Sequence, residues 1–120
     1  MRDFKELKVW QKAHRCVLDI YRASQKFPAE ERFGLTAHVR KSATSVPSNI
    51  AEGCGRGGDR EFAHFLRIAG GSASETEYQL ILARDLGYLD NDSHRSLDSQ
   101  INEVKRMLNS FVQKLSREAS

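Results

Sequence analysis

Five side chains near the middle of this chain have the types and the spacing to act together. Ser42, Ser45, Asn49, Glu52 and Arg56 recur at alternating intervals of three and four, which in a helix stacks all five on one face. Hydroxyl, amide, carboxylate and guanidinium side by side offer hydrogen-bond donors, a proton acceptor and a clamp for an anion. Ser72, Glu75 and Gln79 repeat the same spacing further along. The two stripes can satisfy each other: Arg56 with Glu61 or Glu75, and Ser45 and Asn49 with Ser72. A polar network of this kind, fully made, fixes one arrangement of packed helices or subunits. The alternatives are a solvated face, or a small-molecule or catalytic site at Asn49, Glu52, Arg56 and Glu75.

Other chemistry is poorly supported by spacing. The glycine cluster G-C-G-R-G-G at 53–58 follows a helical pattern rather than a strand, and Asp59-Arg60 comes after it where a phosphate loop needs Lys-Ser or Lys-Thr. It reads as a helix stop and a tight turn, leaving at most a one-phosphate cradle from Arg56 and Arg60. His14, His38, His64 and His94 have no second metal ligand three or four residues away, and Glu75 and Glu77 do not make a Glu-x-x-His pair. No nucleophile elbow is visible. The expectation is a protein that is not an enzyme, with no catalytic residues, metal or cofactor.

The elements that must position these side chains are four helices, and no strand pattern competes with them. The first is expected over about Leu7–Lys26, where Leu7, Trp10, His14, Val17, Tyr21 and Ser24 form a seam widened by Ala13, Leu18 and Ile20; on it, His14 reads as a core or interface histidine. Phe27-Pro28 ends that helix. Pro28, Glu30 and Glu31 suit the start of a second, about Ala29–Gly53, in which Ala43, Val46, Ile50 and Cys54 supply the apolar stripe and Pro47 predicts a kink. Asp59 is the expected N-cap of a third helix, about Arg60–Leu86, with Gly87 as its stop. Asn91-Asp92-Ser93 opens the fourth, whose seam is Leu97, Ile101, Val104, Leu108, Phe111 and Leu115. Gly70-Gly71-Ser72 inside the third helix costs about 1 kcal/mol per glycine relative to alanine, and is expected where another helix approaches closely. Short connections imply an all-α, antiparallel up-down-up-down four-helix bundle in one domain spanning residues 1–120.

Composition sets the outer bounds. The chain has 120 residues, 39% hydrophobic and 29% charged, with a net charge of +3, the profile of an ordinary soluble globular domain. No apolar run reaches the ~18 residues of a membrane span, and the N-terminal segment has no signal-like apolar core. Cys16 and Cys54 read as reduced thiols of a cytoplasmic protein. Charge is uneven: the first segment is basic and residues 59–90 are acidic. Lys5, Lys8, Lys12 and Arg15, with Arg40 and Lys41, are the candidate nucleic-acid contacts, although opposite-sign helices pairing across solvated faces is the simpler account of the charge pattern.

F-K-E-L-K-V-W-Q-K-A-H at 4–14, F-P-x-E-E-R-F-G-L at 27–35, S-V-P-S-N-I-A-E-G-C-G-R at 45–56, E-F-A-H-F-L-R-I-A-G-G-S at 61–72 and L-G-Y-L at 86–89 resemble the bacterial four-helix-bundle family of S23, or 23S rRNA intervening-sequence, proteins. The likeness covers nearly the whole chain. It implies a four-helix bundle that assembles as a homopentamer, similar in fold to the accessory variability determinant of diversity-generating retroelements, whose partners are nucleic acid and a reverse transcriptase. An RNA or DNA connection is therefore implied; the alternative is a purely self-assembling or protein-binding module whose polar stripe serves subunit contacts. Ala73 and Thr76 stand where the family leads one to expect larger aliphatics, implying a looser layer of packing.

Overall fold

The computed structural model describes residues 2–119. Four helices run α1 Lys8–Ser24, α2 Leu35–Cys54, α3 Asp59–Asp85 and α4 Asn91–Ala119. Two short 3-10 turns, Phe4–Glu6 and Ala29–Glu31, precede α1 and α2. The helices pack in cyclic order, α1 on α2, α2 on α3, α3 on α4 and α4 back on α1. The result is an elongated up-down-up-down bundle, 48 × 22 × 20 Å, as expected.

The core follows the apolar periods of α2, α3 and α4. Val39, Ala43, Val46, Ile50 and Cys54 of α2 meet Phe62, Leu66, Ala69, Ala73, Leu80 and Ala83 of α3, and α4 contributes Leu97, Ile101, Val104, Leu108 and Leu115. α1 differs from expectation. Its buried stripe is Val9, Ala13, Cys16, Val17, Ile20 and Ser24, whereas Trp10 is only half-buried and His14, Leu18 and Tyr21 are exposed. This helix carries two apolar seams, and the bundle has room for one.

Several element boundaries also differ from the sequence-based reading. α2 begins at Leu35, six residues late, because Ala29–Glu31 closes a separate 3-10 turn. Glu31 reaches past Gly34 to the start of α2, where the Leu35 amide donates to its Oε1 at 3.0 Å and the Tyr88 hydroxyl to its Oε2 at 2.9 Å. Glu31 is thus a remote cap that also ties α2 to the α3–α4 connection. Asp59 is the first residue of α3 rather than its cap, a position held by Gly58; its carboxylate instead takes Arg2 at 3.3 Å. α2 runs unbroken through Pro47. Gly87, at φ +84°, ends α3 as expected: the Tyr88 amide donates to the Ala83 carbonyl at 2.8 Å and the Gly87 amide to that of Arg84 at 2.9 Å, the paired bonds of a Schellman stop.

The close approach expected at Gly70-Gly71 lies elsewhere. A Cβ at either of these glycines would meet nothing within 4 Å, whereas one at Gly53 would lie 2.9 Å from both Phe62 Cδ1 and Phe65 Cβ. Gly53 is where α2 and α3 come together, and Gly71 faces solvent.

Three carboxylates are held below their usual range. The Leu35 amide and then the Tyr88 hydroxyl lower Glu31, the Lys105 ammonium and the Asn102 amide lower Glu77, and the Ser93 amide lowers Asp90 at the start of α4. A folded-state pKa below the ordinary value means that unfolding takes up protons in acid. The stabilisation is therefore complete above about 4.5 and is lost as pH falls through the depressed values. Melting temperature should hold from neutrality to about pH 5 and then decline, and Glu31→Gln, which cannot ionise, should flatten that decline.

Candidate functional site: a polar helix seam and an uncovered aromatic groove

The polar stripes meet along the seam between α2 and α3, and the contacts are made chiefly by hydroxyls. Ser42 Oγ lies 2.8 Å from Thr76 Oγ1 and donates to Gln79 Oε1 at 2.6 Å. The Thr76 hydroxyl also lies 2.9 Å from the Ser72 carbonyl, so its single proton is shared between that carbonyl and Ser42. One turn on, Ser45 Oγ and Ser72 Oγ are 2.9 Å apart, and Asn49 Nδ2 donates to the Ser45 carbonyl at 2.8 Å and to its hydroxyl at 3.0 Å. Thr76 is fully buried. It ties the two helices together, so the layer expected to be loose at Ala73 and Thr76 is closed by hydrogen bonds. The spacing predicts that Ser45 and Asn49 both meet Ser72; Ser45 does, whereas Asn49 turns to Ser45 of its own helix, and Thr76 falls on the apolar period, where no polar role is expected.

The charged end of the stripe behaves differently. Arg56 lies beyond the end of α2 and pairs with Glu52 at 3.0 Å while its guanidinium sits 5.0 Å from the centre of the Phe65 ring. Among the described residues Glu61 and Glu75 form no ion pair with it; both are exposed. Asn49, Glu52, Arg56 and Glu75 therefore do not converge on one point. Ser42, Ser45 and Ser72 hydrogen-bond only to neutral groups, so no base is placed to activate a hydroxyl. Burial pushes the Cys16 thiol up to about 12, with Asp19 adding to the shift, and raises Cys54 as well. Neither is placed to act as a thiolate nucleophile. No group of three or more metal-ligating side chains occurs among the described residues.

The basic residues separate into anchored and free sets. Arg40 donates from Nε to Ser24 Oγ at 2.8 Å and from Nη2 to the Tyr21 carbonyl at 3.2 Å, and lies 4.6 Å from the Tyr21 ring centre; it is a brace between α1 and α2. Lys12 pairs with Glu103 of α4 at 3.1 Å, and Lys5 lies 3.8 Å from Asp3. Lys8, Arg15 and Lys41 are exposed and make no ion pair among the described residues.

The surface that the sequence reading misassigned is the outer face between α1 and α2. The surplus seam of α1 stands there in the open. Phe4 meets Trp10 edge-on at 5.0 Å, and Trp10 stacks on His14 at 5.1 Å. These rings, with Leu18 and Tyr21, wall a groove of about 500 Å³ floored by Thr44, Pro47, Ser48 and Ala51 of α2. It continues past Tyr21 into a second depression, of about 670 Å³, beside Phe33, Ala37 and Lys41. Phe33 is 81% exposed, with Arg32 4.7 Å from its ring centre. Aromatic walls over a floor of small side chains suit the reception of a helix. On the opposite side, Arg67, Lys105 and Arg106 border a groove of about 590 Å³ between α3 and α4, where Lys105 pairs with Glu77 at 2.7 Å.

Fold and surface together define an all-helical bundle with a hydrogen-bonded polar seam and an aromatic face left uncovered. No helix among the described residues is long and apolar enough to cross a membrane. The profile of the 23S rRNA-intervening sequence proteins matches residues 5–110, and the chain belongs to that family. It is similar to a crystal structure of a protein with unknown function from the S23 ribosomal protein family of Bacteroides thetaiotaomicron. The two share 25% identity and a TM-score of 0.81 over 88% of this chain and 95% of the other. No curated protein matches the chain.

Proposed function

We propose that this chain is a non-catalytic, cytoplasmic, self-assembling subunit whose α1/α2 face docks on further copies of itself. The observation that carries the reading is the uncovered groove walled by Trp10, Leu18 and Tyr21. Large apolar side chains gathered on one face of a soluble bundle mark an interaction surface, and here the core is already filled by the other seam of α1. The polar seam of Ser42, Ser45, Asn49, Ser72 and Thr76 has a different task, fixing the register of α2 on α3 so that the groove keeps its shape. A homopentamer is the number that the family resemblance implies. Sedimentation velocity at micromolar concentration should give a species several times the 13.6 kDa chain mass; a 13.6 kDa species at every concentration would refute the reading.

A second reading adds nucleic acid as a partner of the assembled form. It is favoured by Lys8, Arg15, Arg67 and Arg106, which make no ion pair among the described residues and stand away from the aromatic groove. The family's association with 23S rRNA points the same way. A nucleic-acid-handling protein such as a reverse transcriptase would bind through the same surface. Phosphate contacts predict RNA affinity that falls steeply with salt; an affinity that is absent at low salt, or flat with salt, would exclude it.

A further inference from the structure

We infer that the occupant of the α1/α2 groove is the outer stripe of α3 from a second copy, docked head to tail. This inference rests on the self-assembly reading and names the partner surface that the reading leaves open. The exposed large hydrophobic side chains divide between two places. Leu18, Tyr21 and Phe33 belong to the groove; Ile68 and Tyr78 lie on the outer side of α3, with Leu86 just beyond its end. On α3 the positions Ile68, Gly71, Glu75 and Tyr78 follow intervals of three and four, so they form one continuous stripe. Tyr78 is 60% exposed.

Two further features make the stripe fit the groove. Gly71 sits at its centre with nothing within 4 Å of a Cβ. The bundle therefore gains nothing from a residue that costs about 1 kcal/mol of helix propensity, whereas a helix laid over Thr44 and Ser48 needs a close backbone approach there. Charge is complementary as well. Among the described residues Glu75 on the stripe makes no ion pair, and Lys41 and Arg32 on the groove make none. Setting Glu75 against Lys41 supplies each with a partner and fixes the direction of docking.

Because groove and stripe are different surfaces, the contact is heterologous and repeats from copy to copy. α3 stands beside α2 and diagonally across from α1, so the two faces are neither the same nor back to back. Successive copies therefore turn, which is the condition for a closed ring rather than a straight filament.

The test is a charge exchange read by sedimentation equilibrium, with circular dichroism to verify the fold. Lys41→Glu and Glu75→Lys should each raise the dissociation constant at least about tenfold, and the double exchange should restore most of the loss. Gly71→Leu should abolish assembly while leaving the melting temperature of the bundle equal or higher. If wild-type chains assemble but the single exchanges leave affinity unchanged, or the double variant is no better than the weaker single one, the docking inference is wrong and the self-assembly reading survives. A wild-type chain that remains monomeric would overturn both.

Discussion

Replacing Gly53 by valine should lower the stability of the folded chain by about 2–3 kcal/mol. The position is buried where α2 and α3 meet, and even the first added carbon would lie 2.9 Å from Phe62 Cδ1 and Phe65 Cβ. Neither neighbour can yield cheaply. Phe62 is 1% exposed and meets Phe111 of α4 edge-on at 5.2 Å, and the Phe65 Cβ is fixed to the backbone of α3. The new side chain therefore has to push the helices apart, stretching the Ser45–Ser72 contact one turn or two away. The gain in helix propensity from removing a glycine is under about 1 kcal/mol and does not offset this. For a domain of this size the melting temperature should drop by roughly 10 °C. Gly70→Ala, with nothing near its Cβ, should instead be neutral or slightly stabilising. An unchanged melting temperature for Gly53→Val would mean that α2 and α3 do not meet closely at this residue.

The second large effect concerns assembly rather than folding. Leu18→Glu combined with Tyr21→Glu should reduce the sedimenting species to the 13.6 kDa chain while leaving the helical circular dichroism signal in place. Both side chains are about two-fifths exposed in the isolated bundle, and the α1 core stripe of Val9, Ala13, Cys16, Val17 and Ile20 is untouched. In an assembled form the same positions would be covered, and two carboxylates would have to enter an apolar groove without partners. That desolvation costs several kcal/mol, enough to separate copies at micromolar concentration. The Tyr21 carbonyl that accepts from Arg40 is a backbone group and survives the change, so the brace between α1 and α2 loses only its ring contact. A double variant of unchanged mass would place any self-contact on another face.

Much of the fold could be read directly from residue spacing, and the exceptions have physical causes. α4 was legible because Leu97, Ile101, Val104, Leu108, Phe111 and Leu115 are its one strong apolar period; five are buried and Phe111 is half-buried against the core. α1 was not, because two apolar periods overlap in it. Val9, Ala13, Cys16, Val17 and Ile20 look no more hydrophobic than Trp10, Leu18 and Tyr21, and only packing against α2 and α4 decides which goes inward. The start of α2 was misplaced because proline and two glutamates are good helix-opening residues anywhere, and here they open a 3-10 turn. The true cap, Glu31 reaching the Leu35 amide, depends on Gly34 having no side chain, since a Cβ there would lie 2.6 Å from Glu31 Oε1, which no spacing rule reports.

The polar seam shows the same division. Hydroxyls at intervals of three and four announced a network, and Ser45 does meet Ser72. Its charged members did not follow, since Arg56 stands beyond the helix end and is satisfied by its neighbour Glu52 and the Phe65 ring. The glycines were read in the wrong order of importance: Gly53 looked like a stop and is the tight crossing, whereas Gly70-Gly71 looked like a crossing and is open. Glycine alone reports that a side chain is missing. Whether the space is filled by the same chain or left for another is a property of the packed structure.

Trp10 is the only tryptophan in the chain and stands in the wall of the α1/α2 groove, so its fluorescence reports directly on whether that groove is covered. Acrylamide quenching followed across a dilution series, with mass measured on the same samples, is the decisive measurement. Quenching should be weak at concentrations where the chain sediments as an assembly and should rise to that of a part-exposed indole as the mass falls to a single chain. Quenching that stays constant while the mass changes, or a mass that never exceeds that of one chain, would contradict an assembly built on this face.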